Sequence, residues 1–333
     1  MKDVARAANV SIATVSYYLN GKKIKKENQE RIEKAIHELD YQLNRVAKAL
    51  RTSETLTIGV VFNLLTTKFG MEIISKIEEW FDQHGYSVII CSTQNDITHE
   101  AKKIMMLLEK GVDGIVFFPV SSKKSYITKL IDHQIPVVII DHFSTDTIYD
   151  CVLTDNEQAT FQLAKHLISN GHKDFVALTG DNTFSTSVER KNGILKALQE
   201  ASIPVTENMF VSCKYEVLDA YNKTLQILDR SNRPTALIAT NYDLAMGSIQ
   251  AIHKRNLRIP EDISFVALDM EYYEFDRGIT SIIQPTDQIA TTAAQTLLDR
   301  IKSNQLQDNI TIRLSGIFKD HGTVKKISQE DMQ

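Results

Sequence analysis

The sequence has few of the residues that mark disulfide-stabilised, metal-binding or membrane-spanning proteins. Its three cysteines, Cys91, Cys151 and Cys213, are far apart and odd in number, with no spacing typical of a metal site. Each lies in or beside a short apolar run, so we expect three small, buried, hydrophobic side chains. No apolar run reaches the roughly 20 residues that a membrane-spanning helix needs. The chain begins with a helix pattern rather than a signal peptide, and we therefore expect a soluble, cytoplasmic protein.

The sequence also lacks the motifs that indicate nucleotide chemistry or hydrolysis. It contains no Gly-x-Gly-x-x-Gly after a strand, no Gly-x-x-x-x-Gly-Lys-Ser/Thr, no Gly-x-Ser-x-Gly and no His-Glu-x-x-His. Asp243 and Asp269 could form a carboxylate pair, but we interpret them as hydrogen-bond acceptors because no nucleophile or metal ligand accompanies them. The pattern places His166 on a helix face and His172 in a loop, so we do not interpret them as metal ligands. We therefore expect no enzymatic activity, no cofactor and no metal.

Charge is distributed unevenly along the 333 residues, whose formal net charge is −4. Residues 1–52 hold eleven Lys and Arg against six Asp and Glu, whereas the rest holds 27 against 36. A basic N-terminal region on an acidic body suits a polyanion bound at one end only. The alternative is that the lysines of residues 22–26 form a solvated loop. Length and a hydrophobic content of 43% predict two or three domains.

Residues 2–19 show the pattern of two short helices separated by a tight turn at Asn9 and Val10. Ser11 is a good N-cap for the second helix, and Gly21 can end it. Val4, Ala5 and Ala8 face Val10, Val15 and Leu19 across the crossing. This is a helix-turn-helix pattern, and its second helix has the dimensions to enter a major groove. We expect DNA contacts from Ser11, Ile12, Ala13, Thr14, Ser16, Tyr17 and Asn20.

The apolar pattern predicts the remaining elements. A third helix over about Lys26–Asp40 would cover the first two. From Leu56 onward, short apolar strands alternate with helices such as Met71–His84 and Ala101–Lys110, which indicates parallel sheets with right-handed crossovers. Seven or more strands imply two subdomains. The predicted strands are Thr57–Phe62, Ser87–Ser92, Gly114–Phe118, Val137–Asp141, Phe175–Thr179, Ala236–Ala239 and Ser264–Leu268.

The order of residues resembles that of the LacI/GalR family of bacterial transcription regulators. The resemblance begins with KDVARAANVSIATVSYYLNG and covers nearly the whole chain. It continues in family order through NRVAKALRT, TIGVV, VDGIVFFP, IPVVIIDH, TDNEQAT, LISNGHKDFVALTG, RKNGILKAL, RPTALIAT, IPEDISFVALD and TSIIQPTDQIA. It implies an α/β protein with a three-helix helix-turn-helix headpiece, a hinge, and a bilobal periplasmic-binding-protein-like core of two doubly wound parallel sheets.

The resemblance also implies domain boundaries. The headpiece would span 1–43, a hinge helix and linker 44–55, and an effector-binding and dimerisation core 56–333. Within the core, lobe 1 would hold about 56–154 and 284–312, and lobe 2 about 155–283 and 313–333. The chain would therefore pass between lobes near Asp155, Ile283 and Arg313.

The segment from Asn44 to Arg51 is too short to be a stable isolated helix in water. The resemblance implies a hinge that becomes helical when two subunits pair on DNA. Leu50 would wedge into the central minor groove, with Asn44, Arg45 and Lys48 on nearby phosphates. The alternative is that Leu50 packs against the core.

Ligands of doubly wound folds bind beyond the carboxyl ends of the strands. Several polar residues follow predicted strands, and Arg190 stands where the family has a ligand-binding arginine. Aromatic side chains could stack on a sugar ring. The alternatives are a surface pair of Arg190 with Glu189 and apolar lobe packing for Phe69 and Phe184. The predicted effector-binding residues are Phe69, Asp141, His142, Asp155, Phe184, Arg190, Asn241, Tyr242 and Asp269.

We therefore expect a homodimeric regulator that binds double-stranded operator DNA and no membrane. The preferred interpretation is a repressor of a carbohydrate-metabolism operon, controlled by a sugar or sugar phosphate between the lobes. Alternatives are control by a protein corepressor, a nucleobase- or nucleoside-responsive regulator, a solute-binding receptor and a sugar- or nucleoside-modifying enzyme. Tyr17 replaces a frequent family arginine, and His142 and Tyr242 also depart from the family pattern, so the operator and effector stay open.

Overall fold

The computed structural model describes residues 1–19, 22–41, 54–64, 67–120, 135–141, 149–274, 277–303 and 308–327. Side chains of residues 273, 274 and 277 are outside this description. The chain forms two compact units, Met1–Thr55 and Leu56–Gln333.

The N-terminal unit contains the predicted three-helix headpiece. Its helices are α1 (Lys2–Ala7), α2 (Ile12–Leu19) and α3 (Lys26–Glu38). Asn9 adopts a positive φ of 51°, and the Val10 amide donates to the Ala5 carbonyl at 3.0 Å, which closes the turn between α1 and α2. The buried core of this unit consists of Val4, Ala5, Ala8, Val15, Ile32 and Ala35.

Local hydrogen bonds set the orientation of α2. The Ser11 hydroxyl accepts from the Thr14 amide at 3.1 Å, which confirms the predicted N-cap. The Tyr18 hydroxyl donates to the Glu33 carboxylate at 2.9 Å and so ties α2 to α3. This bond and one from Gln29 lower the pKa of Glu33. Lys25 is the N-cap residue of α3 and makes no side-chain cap hydrogen bond.

The larger unit is built on two six-stranded sheets. The first is fully parallel, with strand order β13-β5-β4-β3-β1-β2. Its strands are β1 (Thr57–Phe62), β2 (Ser87–Ser92), β3 (Gly114–Phe117), β4 (Val137–Ile140), β5 (Asp150–Thr154) and β13 (Thr311–Leu314). Its helices are α4 (Lys68–Gln83), α5 (Ile97–Glu109) and α10 (Thr286–Lys302). Apolar side chains of α4 and α10 are buried in one core with those of the strands.

The second sheet has the order β14-β12-β9-β8-β6-β7, and β14 alone runs antiparallel to its neighbour. Its strands are β6 (Phe175–Thr179), β7 (Phe210–Ser212), β8 (Ala236–Ala239), β9 (Ser264–Leu268), β12 (Ser281–Ile283) and β14 (Ile317–Lys319). Its helices are α6 (Asn156–Ser169), α7 (Ser185–Glu200), α8 (Val217–Leu228) and α9 (Tyr242–Lys254). A short hairpin joins β10 (Tyr272–Glu274) to β11 (Arg277–Gly278).

The chain passes between the two sheets after β5, after β12 and between β13 and β14. Leu314 still pairs with Thr154 in the first sheet, so the last passage follows Leu314 rather than residue 312. Five predicted strands have the observed bounds. The predicted third helix begins at Lys26 as observed, but the two predicted core helices begin too late. Helix α4 starts at Lys68 rather than Met71, and Asp96 caps α5 through the Thr98 and His99 amides.

The cysteines are free and buried, as expected. Burial raises the pKa of Cys151 to about 12 and that of Cys213 to about 11, so neither thiol ionises readily. No helix within the described ranges is both long enough and apolar enough to cross a membrane.

Candidate functional site

Helix α2 presents a mixed polar and apolar face to solvent. Ile12 is 48% exposed and Tyr17 is 53% exposed, whereas Val15, on the side of the helix opposite Tyr17, is fully buried. Ser11 and Ala13 are exposed, and Thr14 and Ser16 are half-buried. The predicted DNA-contacting residues of α2 therefore share an accessible surface. Asn20 and the predicted hinge contacts Asn44, Arg45, Lys48 and Leu50 lie outside the described residues.

A cavity of about 160 Å³ lies between the two sheets of the larger unit. It opens at the carboxyl ends of the strands, because Phe62, Phe118 and Asp141 end or follow β1, β3 and β4, while Asn241 and Asp269 follow β8 and β9. This is where doubly wound sheets bind ligands. The cavity is lined by Phe62, Asn63, Leu64, Thr67, Lys68, Phe69, Asn95, Phe118, Asp141, Phe184, Thr186, Arg190, Tyr215, Asn241, Tyr242, Asp243, Asp269 and Gln284.

The structure brings seven of the nine predicted effector-binding residues to this cavity: Phe69, Asp141, Phe184, Arg190, Asn241, Tyr242 and Asp269. Asp155 is not among the residues that line this cavity. Its carboxylate instead accepts the Gln158 amide at 3.1 Å and caps α6. His142 lies outside the described residues.

Arg190 is buried and held from two sides. Its Nε donates to Asn156 Oδ1 at 2.8 Å, and its Nη1 donates to the Thr240 carbonyl at 2.8 Å. The alternative pairing with Glu189 is wrong, because Glu189 accepts from Arg313 at 2.8 Å and from Asn156 at 3.1 Å. Nη2 makes no hydrogen bond to the described residues. The guanidinium is therefore oriented with donors left for the cavity.

Asp269 lines the cavity in a positive-φ conformation of 60°. Its Oδ1 accepts the Gln284 amide at 3.0 Å, and its Oδ2 accepts from the Gln284 side chain. Thr154 donates to Gln284 Oε1 at 2.5 Å, so Gln284 links residues of both sheets. Burial raises the pKa of Asp269, and the nearby Arg190 opposes that shift. Each carboxylate oxygen keeps acceptor capacity for a ligand hydroxyl or N–H.

The start of α9 adds three polar groups. Asn241 Oδ1 accepts the Leu244 amide at 2.8 Å, and this cap leaves the Asn241 Nδ2 donors for the cavity. The Lys68 ammonium lies 5.7 Å from the centre of the Tyr242 ring. Burial raises the pKa of Asp243, which also lines the cavity but is absent from the predicted set.

Aromatic rings form much of the remaining lining. Phe62 and Phe118 meet edge to face at 4.5 Å, while Phe184 and Tyr215 are 6.1 Å apart. The Tyr215 hydroxyl is 2.6 Å from Ser187 Oγ. Tyr215 was missed because it follows the short edge strand β7, which has no clear apolar pattern. Within the described residues, no group of three or more His, Cys, Asp or Glu side chains could hold a metal ion.

Comparisons with known proteins match both parts of the chain. Residues 1–44 match the family described as bacterial regulatory proteins, lacI family. Residues 55–323 match the family of periplasmic binding proteins and sugar binding domain of LacI family.

The similarity to known repressors extends over almost the full length of the chain. The HTH-type transcriptional repressor PurR of Vibrio atlanticus is 33% identical, with 98% of this chain and 99% of that protein covered. The PurR repressor of Edwardsiella ictaluri is 32% identical, with 94% and 93% covered.

Solved structures agree with this similarity. The lac repressor dimer bound to operator and the anti-inducer ONPF has a TM-score of 0.84 at 25% identity, with 97% of this chain and 98% of that chain covered. A LacI family transcriptional regulator from Enterococcus faecium with bound ribose has a TM-score of 0.73 at 25% identity, with 82% and 100% covered. The chain therefore belongs to the LacI family, and it is a DNA-binding transcriptional repressor rather than an enzyme.

Proposed function

We propose that this repressor binds operator DNA as a homodimer and is controlled by a small, uncharged, polar ring compound in the cavity between the sheets. The observation that carries the proposal is the convergence of Arg190, Asp269 and Asn241 with aromatic rings at one cavity. A cavity of about 160 Å³ is below the roughly 300–1,000 Å³ typical of drug-sized ligands. This size favours a single ring over a disaccharide.

The charge of the lining argues for a neutral ligand. Asp141, Asp243 and Asp269 line the cavity, whereas its cations are Lys68 and Arg190. An added phosphate would face more carboxylates than cations in a partly desolvated site, which costs free energy. We therefore favour a monosaccharide over a sugar phosphate, and a carbohydrate-metabolism operon as the regulated target.

A monosaccharide matches the donors and acceptors of the site. Its hydroxyls can donate to the carboxylates of Asp269 and Asp243 and accept from Arg190 and Asn241. Its apolar ring face can lie on Phe69 or Phe184, both of which line the cavity. One solved relative, at 25% identity, has bound ribose.

A nucleobase is the second candidate. The aromatic lining suits a flat heterocycle, whose N–H and carbonyl edges also match carboxylates and a guanidinium. The relatives with 32–33% identity are named PurR, and no sugar appears in their names. A ligand panel can separate the two candidates because their chemistry does not overlap.

A thermal-shift series on the full chain tests the proposal. The panel contains monosaccharides, sugar phosphates, nucleobases and nucleosides, each measured by the melting of wild type, Arg190→Lys and the control Arg255→Lys. Arg255 pairs with Asp229 outside the cavity. At about 100 times its Kd, a ligand adds roughly 2.7 kcal/mol of stability. We expect one class of uncharged ligand to stabilise wild type and Arg255→Lys but not Arg190→Lys.

Two results would contradict the proposal. Equal stabilisation of all three proteins would place the ligand elsewhere. Stabilisation by no small molecule, together with tighter operator binding when a protein corepressor is added, would support control by that protein instead.

A further inference from the structure

The carboxyl-terminal half of α2 carries an aromatic residue on its most exposed face. Ala13 and Tyr17 are each two residues from the buried Val15, and therefore lie on roughly the opposite side of the helix. Tyr17 is 53% exposed. Its ring replaces the arginine that commonly occupies this place, and a phenol cannot make a bidentate pair with guanine.

A cation lies over that ring. The Lys22 ammonium is 5.2 Å from the centre of the Tyr17 ring, within the range of a cation–π contact. The Lys22 amide also donates to the Tyr17 carbonyl at 3.0 Å. This hydrogen bond holds the Lys22 backbone at the end of α2, where the Lys22 ammonium lies over the face of the Tyr17 ring.

Some cations of the headpiece form ion pairs, whereas Lys22, like Lys2, Lys23, Lys25 and Lys26, forms none with a described carboxylate. Arg6, Arg31 and Lys34 each lie within 4 Å of a carboxylate, namely Asp3, Glu27 and Glu38. The charge of Lys22 is therefore presented to solvent beside the DNA-reading face rather than neutralised within the headpiece.

We propose that Lys22 and Tyr17 act as one base-reading pair, in which the tyrosine ring positions the lysine ammonium to donate to the O6 and N7 acceptors of a guanine. Lysine is a common donor to these atoms in the major groove. The flexible lysine side chain samples many positions. An exposed cation–π contact raises the population of the conformation over the ring by roughly two- to fivefold. This inference rests on the DNA-binding role of α2.

The rival role for Lys22 is a phosphate contact, and the two roles have different signatures. Removing a phosphate contact lowers affinity for all sequences alike and reduces the salt slope by about 0.9. A base contact changes the preference at one base pair. The pairing with Tyr17 adds a third signature, because removal of the ring should weaken the preference at that same base pair.

The test uses the full chain and a site selected from random duplexes by the wild type. Affinities for single-base-pair variants of that site are then measured for Lys22→Met, Tyr17→Phe, Tyr17→Leu, the double variant Tyr17→Leu with Lys22→Met, and Lys23→Met. Lys23 is the matched control, because it is the next lysine and has no ring contact. Thermal melting of each full-length variant shows that it is folded.

We expect Lys22→Met to reduce discrimination at one G·C pair by about 5- to 150-fold. Tyr17→Phe should keep that discrimination because it keeps the ring face, and Tyr17→Leu should lose part of it. The double variant should lose no more discrimination at that base pair than Lys22→Met loses. Lys23→Met should leave this discrimination unchanged.

Three outcomes would overturn the inference: a sequence-independent loss of affinity in Lys22→Met, additive effects of Tyr17 and Lys22 at different base pairs, or no guanine preference in the wild type. A wild type that selects no site at all would instead contradict the DNA-binding function itself.

Discussion

Arg190 shows how a binding residue depends on one that the ligand does not touch. Asn156 accepts from Arg190 Nε at 2.8 Å and is 1% exposed, and it is not among the residues that line the cavity. Without this acceptor, the guanidinium keeps only the Thr240 carbonyl as an anchor. Asn156 is therefore a positioning residue for the proposed effector.

We predict that Asn156→Ala weakens effector binding by roughly tenfold or more, because an unpaired buried donor costs about 1–3 kcal/mol. Effector titration by calorimetry measures the loss. The control is Lys165→Ala, at an exposed position of the same helix. Wild-type effector affinity in a folded Asn156→Ala protein would contradict the positioning role.

His172 is buried beside the carboxyl-terminal segment. Its Nδ1 lies 2.8 Å from Thr235 Oγ1, and its Nε2 lies 2.9 Å from the Lys325 carbonyl. Burial lowers the pKa of His172 in the folded state. Below its unfolded pKa of about 6.5, the unfolded chain therefore binds a proton more readily than the folded chain.

We predict that the stability contributed by His172 is present above about pH 6.5 and is lost as the pH falls through its lowered pKa. His172→Gln should flatten this part of the stability curve, since Gln does not titrate. Urea unfolding at a series of pH values measures the slope, and His253→Gln provides a histidine control. The same slope in His172→Gln and wild type would contradict the assignment.

The sequence predicted much of the cavity because its residues follow strands or start helices, which are local patterns. Asp141 and Asp269 come directly after an apolar strand, and Asn241 comes two residues after one. Gln284 could not be predicted, since its role depends on a chain passage that places it between Thr154 and Asp269. Asp155 also follows a strand, but its carboxylate caps the next helix, a role that such a position equally permits.

At the scale of elements, helices α6 and α7 cross at Gly193. A Cβ added at Gly193 would lie 2.1 Å from the Glu157 carbonyl oxygen and 2.3 Å from Thr160 Oγ1. Both atoms belong to α6, so the backbones can approach this closely only where no side chain intervenes. The crossing also sets the position of Arg190, one turn earlier on α7.

We predict that Gly193→Ala destabilises the larger unit by about 1–3 kcal/mol, despite the better helix propensity of alanine, because the helices must separate. The neighbouring exposed residue provides the control, since Asn192→Ala should change stability by about 0.5 kcal/mol or less. Chemical denaturation measures both variants. An unchanged midpoint in Gly193→Ala would show that the crossing is looser than described.

Strands were predictable where they are continuous apolar runs buried on both faces, as β1, β6 and β9 are. Strand β5 was missed because it begins with Asp150, a charge that is tolerated there only because Arg300 pairs with it at 2.7 Å. Strands β12 and β14 have three residues each and pair across a long sequence separation, so local pattern carries little of their signal.

At the scale of the whole chain, the uneven charge suits a repressor that binds a polyanion. The first 52 residues have five more cations than carboxylates, and the remainder has nine fewer. Nucleic-acid affinity should therefore arise from the N-terminal region and depend on counterion release.

We predict that operator affinity falls by about 10³–10⁵-fold between 50 and 200 mM salt if about six to ten phosphates are contacted per dimer. Fluorescence anisotropy over a salt series measures the slope, with Lys319→Met in the larger unit as a control. A flat salt response, or a slope changed as much by Lys319→Met as by Lys23→Met, would place the DNA surface elsewhere.

The most direct test of ligand control is the ratio of operator Kd values with and without the ligand that stabilises the wild type. Reciprocal coupling in allosteric proteins is typically about 5- to 150-fold. We predict a ratio in that range for wild type, a ratio near one for Arg190→Lys at the same ligand concentration, and equal ligand-free operator affinity for both. Equal ratios for wild type and Arg190→Lys, or a wild-type ratio of one, would contradict control through the cavity.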